Sequence, residues 1–110
     1  MIKMIIQMNN EKIMEKGEYS PEQIIAALDR IFFQKGIDKK ELDLDIIEYV
    51  GHDNPTDFAN FGKIMLGLKD QDWFMDNAKE WFYCSNDDSD DPEDFEKEDL
   101  LVHYGRKAVA

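Results

Sequence analysis

Three side chains have the chemistry of a nucleophile or a general base: Cys84, His52 and His103. Covalent catalysis requires a base within hydrogen-bond reach of the nucleophile. No local motif pairs these residues, because they come from three separate segments of the chain. His52 lies in a segment typical of a turn, and a lone cysteine such as Cys84 usually behaves as a small buried hydrophobe. We therefore predict no catalytic residues and expect a protein that is not an enzyme.

An acidic run at residues 87–98 invites comparison with the calcium-binding loop of an EF-hand. Counted from Asp87, acidic or hydroxyl side chains occupy loop positions 1, 3, 5 and 12. The sixth position requires glycine, because the chain turns sharply there. This sequence instead has Pro92, whose φ is fixed near about −65°. Asp94 also stands where the EF-hand has an apolar residue. The sequence therefore predicts no tight calcium site, no metal ligands and no cofactor.

The negative charge is concentrated in one segment. The formal net charge of the 110-residue chain is −12, and residues 86–99 contain nine acids against one base. Nucleic-acid binding needs clustered positive charge to neutralise phosphates, and the pairs Lys39–Lys40 and Arg106–Lys107 are too small for that. We expect no direct contact with nucleic acid. The acidic segment is instead predicted to attract a basic partner protein through Asp87, Asp88, Asp90 and Asp91.

Composition indicates one domain in a reducing compartment. The length is typical of a single domain, and the hydrophobic fraction of 43% is sufficient for a core. One cysteine cannot form an internal disulfide, which favours the cytoplasm. No stretch approaches the roughly 20 apolar residues that cross a bilayer, so we expect no membrane association.

Helix signals recur along the chain. The clearest is a capping box, in which Ser20 can cap, Pro21 suits the first helical position and Gln23 completes the box; this helix should stop at Gly36. Cap signals at Asp38, at Asn54, at Asp70 or Asp72, and at Asp91, together with apolar spacing, predict further helices at about 38–50, 54–68, 70–84 and 91–104. Alternating acidic and apolar residues at 42–46 leave a strand as the alternative for the 38–50 helix. Residues 1–8 are read as a short strand or a frayed helix.

The predicted fold is all-α, a compact bundle of four to five short helices with an acidic loop before the last helix. It is expected to form one helical domain over residues 1–110. Residues 1–19 are the least certain segment, and the acidic loop covers 86–94. A short N-terminal strand remains compatible with this architecture.

Three aromatic residues are candidates for a contact surface. Phe33 lies on the polar side of its helix, which is therefore either buried on two sides or turned toward a partner. Trp73 and Tyr83 either anchor the predicted 70–84 helix or form a recognition surface, since such aromatics dominate binding hot spots. In the 54–68 helix, Phe58 is assigned to the core face, and Gly62 leaves room for a neighbouring helix.

These observations predict a non-enzymatic, acidic protein-interaction or regulatory module that binds a basic partner protein. Two alternatives remain: a DNA-mimic-type inhibitor of a nucleic-acid-binding protein, or a small divalent-cation-binding protein that uses the 87–98 loop. The sequence also leaves self-association into a homo-oligomer open.

Overall fold

The fold is built on a five-stranded sheet. The computed structural model describes residues 1–43, 46–52, 54–86, 91 and 93–105. The strands are β1 (Ile2–Met8), β2 (Asp38–Asp43), β3 (Ile46–Val50), β4 (Ala78–Ser85) and β5 (Glu96–Asp99), and the helices in this part of the chain are α1 (Asn10–Lys16), α2 (Pro21–Phe33), α3 (Asp57–Leu68), α4 (Asp72–Met75) and α5 (Leu100–His103). The strand order is β2-β3-β1-β4-β5, and every neighbouring pair is antiparallel.

The prediction of an all-α helical bundle is therefore wrong, because the chain has an α+β fold. The error begins at the N-terminus, where β1 is the central strand rather than an appendage. Its buried residues alternate strictly with partly exposed ones, as the period of two in a strand requires. The buried residues are Ile2, Met4, Ile6 and Met8.

The helices α2 and α3 cover one face of this sheet. Phe32 of α2 stacks on Tyr49 of β3, and Phe61 of α3 meets both Phe32 and Tyr83 of β4 edge to face. The core lies between these two layers. We call this side of the sheet the covered face. The other side, which carries Lys3, Ile5, Gln7 and their partners on adjacent strands, is the open face.

The predicted helix after Ser20 is confirmed. Ser20 Oγ accepts from the backbone N–H of Gln23 at 3.2 Å, and the Gln23 side chain accepts from the N–H of Ser20 at 2.9 Å. The chain leaves α2 through Gly36, whose φ of 73° is in the left-handed region that glycine tolerates best. Local signals were sufficient here because both ends of the helix carry them.

The predicted helix at 38–50 is wrong, because the described residues of this range form strands. The strand alternative at 42–46 includes residues 44–45, which lie outside the described residues. Residues 38–43 and 46–50 pair with each other as β2 and β3. The sequence of β3, Ile-Ile-Glu-Tyr-Val, is rich in β-branched and aromatic residues, which pack well on a pleated sheet. The capping-box spacing that begins at Asp38 favours a helix locally. The pairing of β3 with the central strand β1 stabilises the strand instead.

The predicted helices at 70–84 and 91–104 are mostly wrong as well. Only four residues at 72–75 are helical before β4 begins at Ala78. The last helix starts at Leu100, after β5, and its N-cap is Asp99 rather than Asp91. Asp99 Oδ1 accepts from two backbone N–H groups of the first turn, at 3.1 and 3.2 Å. Among the described residues, no helix combines the length and the apolarity needed to cross a bilayer.

Candidate functional site

The outward side of α3 is a row of apolar and small residues. Phe58 and Leu66 are 74% and 58% exposed, although both are large and apolar. Gly62 lies between them at a spacing of four residues, which places all three on one side of the helix. Together with Ala59 and Lys63, these residues form what we call the α3 face, and Gly67 lies outside it, about 180° around the helix from Phe58. Lys63 is its one charged member.

Phe58 was predicted to lie on the core face of its helix, and that prediction is wrong. The buried residues of α3 are Asp57, Phe61, Ile64 and Leu68. At 100° per residue, Phe58 lies about 90° from the centre of this buried arc. The inward position in the first turn is taken by Asp57, which is only 6% exposed. Asp57, directly before Phe58, occupies the buried position of this turn. Recognising that this acid is buried would therefore have predicted that Phe58 is exposed.

Asp57 is buried because it fixes the entry to α3. Its Oδ2 accepts from the backbone N–H groups of His52 at 2.7 Å and of Asn54 at 3.1 Å. A Cβ added to Gly51 would lie 2.7 Å from the same oxygen, so the approach requires glycine. Asn54 was predicted as the helix cap, but the N-cap is Thr56 and its side chain makes no capping hydrogen bond. The Asn54 side chain instead accepts from the backbone N–H of Thr56 within the turn.

The small residues of the α3 face leave space above the helix. A Cβ added at Gly62 would meet no atom within 4 Å. The neighbouring helix that the sequence predicted beside Gly62 is therefore not supplied by the described part of this chain. Gly62 therefore forms a shallow groove between Phe58 and Leu66, and a ridge of side chains on another helix could pack into such a groove.

Phe33 is also exposed to solvent. Its side chain is 51% exposed, whereas Phe32, the residue before it, is fully buried. The alternative in which α2 is buried on two sides at this point is therefore wrong. Phe33 adds a second exposed aromatic to the helix layer, at the end of α2.

The other two aromatic candidates are engaged within the chain. Trp73 is partly buried, and its Nε1–H donates to the Gln71 side chain at 3.1 Å. Tyr83 lies in β4 on the covered face, with its ring 6.3 Å from that of Phe61. The two residues were predicted on one helix but belong to different elements, α4 and β4.

Most of the predicted acidic site lies outside the described residues, namely Asp87, Asp88 and Asp90. Asp91 is exposed, and its side chain accepts from the backbone N–H of Glu93 at 2.9 Å within a turn. The exposed acids Glu96 and Glu98 follow in β5. Negative charge therefore continues from the segment into the edge strand of the sheet.

The residues that could carry covalent chemistry are dispersed. Cys84 is buried, and burial raises the pKa of its thiol, which keeps the thiol protonated. His52 pairs with Asp38 at 2.9 Å beside β2, and His103 pairs with Glu98 at 2.9 Å at the opposite edge of the sheet. The structure brings no base to the thiol from either histidine.

A partly buried polar group links α2 to the sheet. Asp29 accepts from the Tyr49 hydroxyl at 2.7 Å and pairs with Lys39 Nζ at 3.2 Å. Burial, followed by the hydrogen bond and the charge of Asp29, raises the pKa of Tyr49. The arrangement holds a neutral tyrosine next to an ion pair, which stabilises the packing of α2 on β2 and β3.

Among the described residues, no three histidine, cysteine, aspartate or glutamate side chains lie close enough together to hold a metal ion. Comparisons of the chain with protein-family models, with curated proteins and with solved structures found no match. The surfaces of the molecule are therefore the basis for inferring its function.

Proposed function

We propose that this protein is a non-enzymatic interaction module that binds a basic partner protein through the α3 face. The observation that carries the proposal is the exposure of Phe58 and Leu66 beside small residues that nothing in the described chain covers. Completing the burial of these two side chains would contribute about 2–4 kcal/mol to a complex. A micromolar complex requires about 8 kcal/mol, so these two side chains would supply part of the affinity and further contacts with the partner the rest.

The charge of the chain supports the choice of a basic partner. A net charge of −12, with nine acids in residues 86–99, attracts positively charged proteins and raises the rate of encounter. Apolar contact at the α3 face would then determine how long the complex lasts. We place this binding in the cytoplasm, because the single Cys84 is suited to a reducing compartment.

Capture from native cell lysate tests the role of the α3 face. The bait is the full chain, compared with a Phe58→Ser/Leu66→Ser variant. The matched control is Met14→Ser/Val102→Ser, which removes two apolar side chains that are 68% and 51% exposed on α1 and α5. We expect the wild type and the control to retain the same basic protein and the α3 variant to lose it. Equal retention by all three baits would contradict the proposal, as would a captured protein without a basic surface.

The acidic segment is tested by kinetics with the captured partner. Changing Asp87, Asp88, Asp90 and Asp91 to asparagine should slow association, because steering by charge acts mainly on the on-rate. The difference from wild type should shrink at high salt, since exposed charges are screened over about 8 Å at physiological ionic strength. Unchanged association at low salt would show that these acids do not take part in binding.

A further inference from the structure

Strand β5 forms one edge of the sheet. β4 lies on one side of β5, and no strand in the described part of the chain lies on its other side. In an antiparallel pair, alternate residues direct both their N–H and C=O groups toward the neighbouring strand, and the residues between them direct these groups away. Two of the four residues of β5 therefore direct backbone groups outward. Such an edge is a template to which a further strand can add.

The side chains of β5 make this edge acidic. Three of its four residues are acids, and Glu96 and Glu98 are exposed. Both project to the side of the covered face, because Glu98 lies opposite Tyr83 in the β4 register. Lys97 lies between them and projects to the open face. The edge therefore presents two carboxylates on one side, separated by two residues or about 7 Å along the strand.

The opposite edge of the sheet, β2, has a different balance of charge. β2 carries two lysines against three acids in six residues, whereas β5 carries one lysine against three acids in four. At β2, Asp38 already pairs with His52 at 2.9 Å. β5 instead follows directly on the acidic segment, where Glu93 and Asp94 are also exposed. Of the two edges, β5 therefore matches a basic strand better.

The same charge opposes the pairing of β5 with β5 of a second copy. Such a pair would bring together two strands that each carry three acids and one base, in chains with a net charge of −12. Natural sheets use charged side chains on edge strands in this way to prevent association. The charge does not oppose a strand of the opposite sign. The edge is therefore selective for a basic strand.

We propose that β5 binds an extended segment of the basic partner, which adds to the sheet as a sixth strand. This inference rests on the proposed function, because it takes the partner to be basic, and it specifies which part of the partner meets the acidic side of the molecule. Backbone hydrogen bonds to β5 provide affinity, and side chains at alternate positions provide specificity.

The residues of β5 also specify the sequence of the added strand. Two lysines or arginines, separated by one residue, would face Glu96 and Glu98, since opposite charges on neighbouring strands stabilise the pairing. The residue between the two bases projects to the open face beside Lys97. A base there would be unfavourable, because like charges directly opposite each other destabilise a sheet. The segment therefore alternates basic and uncharged residues, and a run of consecutive bases fits less well.

A short synthetic peptide of alternating lysine and threonine, added to the isotope-labelled full chain, tests the proposal. Binding should shift the amide resonances of residues 96–99 and slow the hydrogen exchange of the outward N–H groups of β5. The same peptide with N-methyl groups on its central residues keeps its charge but loses the N–H donors there. Its binding should be at least about tenfold weaker, because backbone hydrogen bonds supply the affinity.

Two matched variants test the charges. Glu96→Gln/Glu98→Gln should weaken binding of the peptide about three- to tenfold, because two cross-strand charge pairs are lost. The control, Glu15→Gln/Glu18→Gln, removes two exposed acids on or next to α1 and should change binding by less than about twofold. Circular dichroism of each variant confirms folding.

Three results would overturn the proposal. The first is the absence of binding at peptide concentrations up to about 1 mM. The second is equal binding of the N-methylated peptide, which would show that charge alone attracts it. The third is a set of resonance shifts that excludes β5.

The Phe58→Ser/Leu66→Ser variant separates this inference from the proposed function. It should bind the peptide as well as wild type does, because the peptide uses β5 and not the α3 face. If the peptide fails to bind while capture of a basic protein depends on the α3 face, the strand site is wrong and the proposed function stands. If the peptide binds at β5 but no basic protein is captured through the α3 face, the proposed function is wrong and the strand site stands.

Discussion

Phe32 and Tyr49 lie ring on ring, with centroids 3.8 Å apart and planes within 2° of parallel. Close parallel overlap is not the arrangement that aromatic pairs prefer by themselves. Their neighbours hold it in place: Phe61 meets the Phe32 ring edge to face at 6.2 Å, and Asp29 accepts from the Tyr49 hydroxyl. This contact joins α2 to β3 and is the centre of the helix-to-sheet packing.

The first prediction compares two adjacent phenylalanines. Phe32→Ala should lower the free energy of unfolding by about 3–5 kcal/mol, because a fully buried aromatic leaves a cavity. Phe33→Ala is the matched control and should change it by less than about 1 kcal/mol, since that side chain is half exposed. Urea unfolding followed by circular dichroism measures both. Similar losses in the two variants would contradict the placement of Phe33 outside the core.

The second prediction concerns alkaline pH. The pKa of Tyr49 is raised above its ordinary value of 10.0, first by burial and then by Asp29. Above about pH 10 the unfolded chain loses this proton while the native state keeps it, so the free energy of unfolding falls as the pH rises. Tyr49→Phe should be less stable at neutral pH by about 1 kcal/mol because it lacks one hydrogen bond. Its decline between about pH 9 and 11, measured by urea unfolding, should nevertheless be smaller than that of the wild type. An equal decline would contradict the raised pKa.

The third prediction concerns the thiol. Burial raises the pKa of Cys84, and the positive charges of Lys3 and Lys97 offset only part of that rise. The native protein should therefore react with a thiol-specific disulfide reagent far more slowly than the urea-unfolded chain at the same pH. Absorbance of the released thiolate follows the reaction. Equal rates in the two states would show that the thiol is accessible in the native fold.

Elements of this fold are predictable from the sequence where a helix carries its own boundary signals. For α2, the capping box at Ser20 and the glycine at position 36 were sufficient to locate both ends. Prediction from the sequence failed in β4, where Trp81 and Phe82 fit a helical arc as well as they fit a strand. In the strand, Trp81 points into the core and Phe82 onto the open face. A short apolar segment does not by itself distinguish these periods. The pairing of β4 with β1, in which Trp81 lies opposite Ile6 and Phe82 opposite Ile5, decides between them.

The candidate surfaces were less predictable than the core. Phe33 was identified because α2 was placed correctly. Phe58 was missed because a helical wheel does not reveal which arc faces the sheet, and the answer depends on the buried Asp57. The open face could not be predicted at all, because it exists only once β4 and β5 pair with the central strand.

The last prediction separates stability from binding at the α3 face. Gly62→Ala should raise the free energy of unfolding by about 0.5–1 kcal/mol, because alanine is the better helix former and the added methyl group meets nothing in the described structure. Gly67→Ala should stabilise the fold similarly and is the control, since Gly67 lies about 100° around the helix from Leu66. If a partner helix packs closely between Phe58 and Leu66, Gly62→Ala should weaken its binding while Gly67→Ala leaves binding nearly unchanged. Urea unfolding and titration calorimetry with the captured partner measure the two effects. A Gly62→Ala variant that is more stable and binds as well as wild type would place the partner away from the centre of this face.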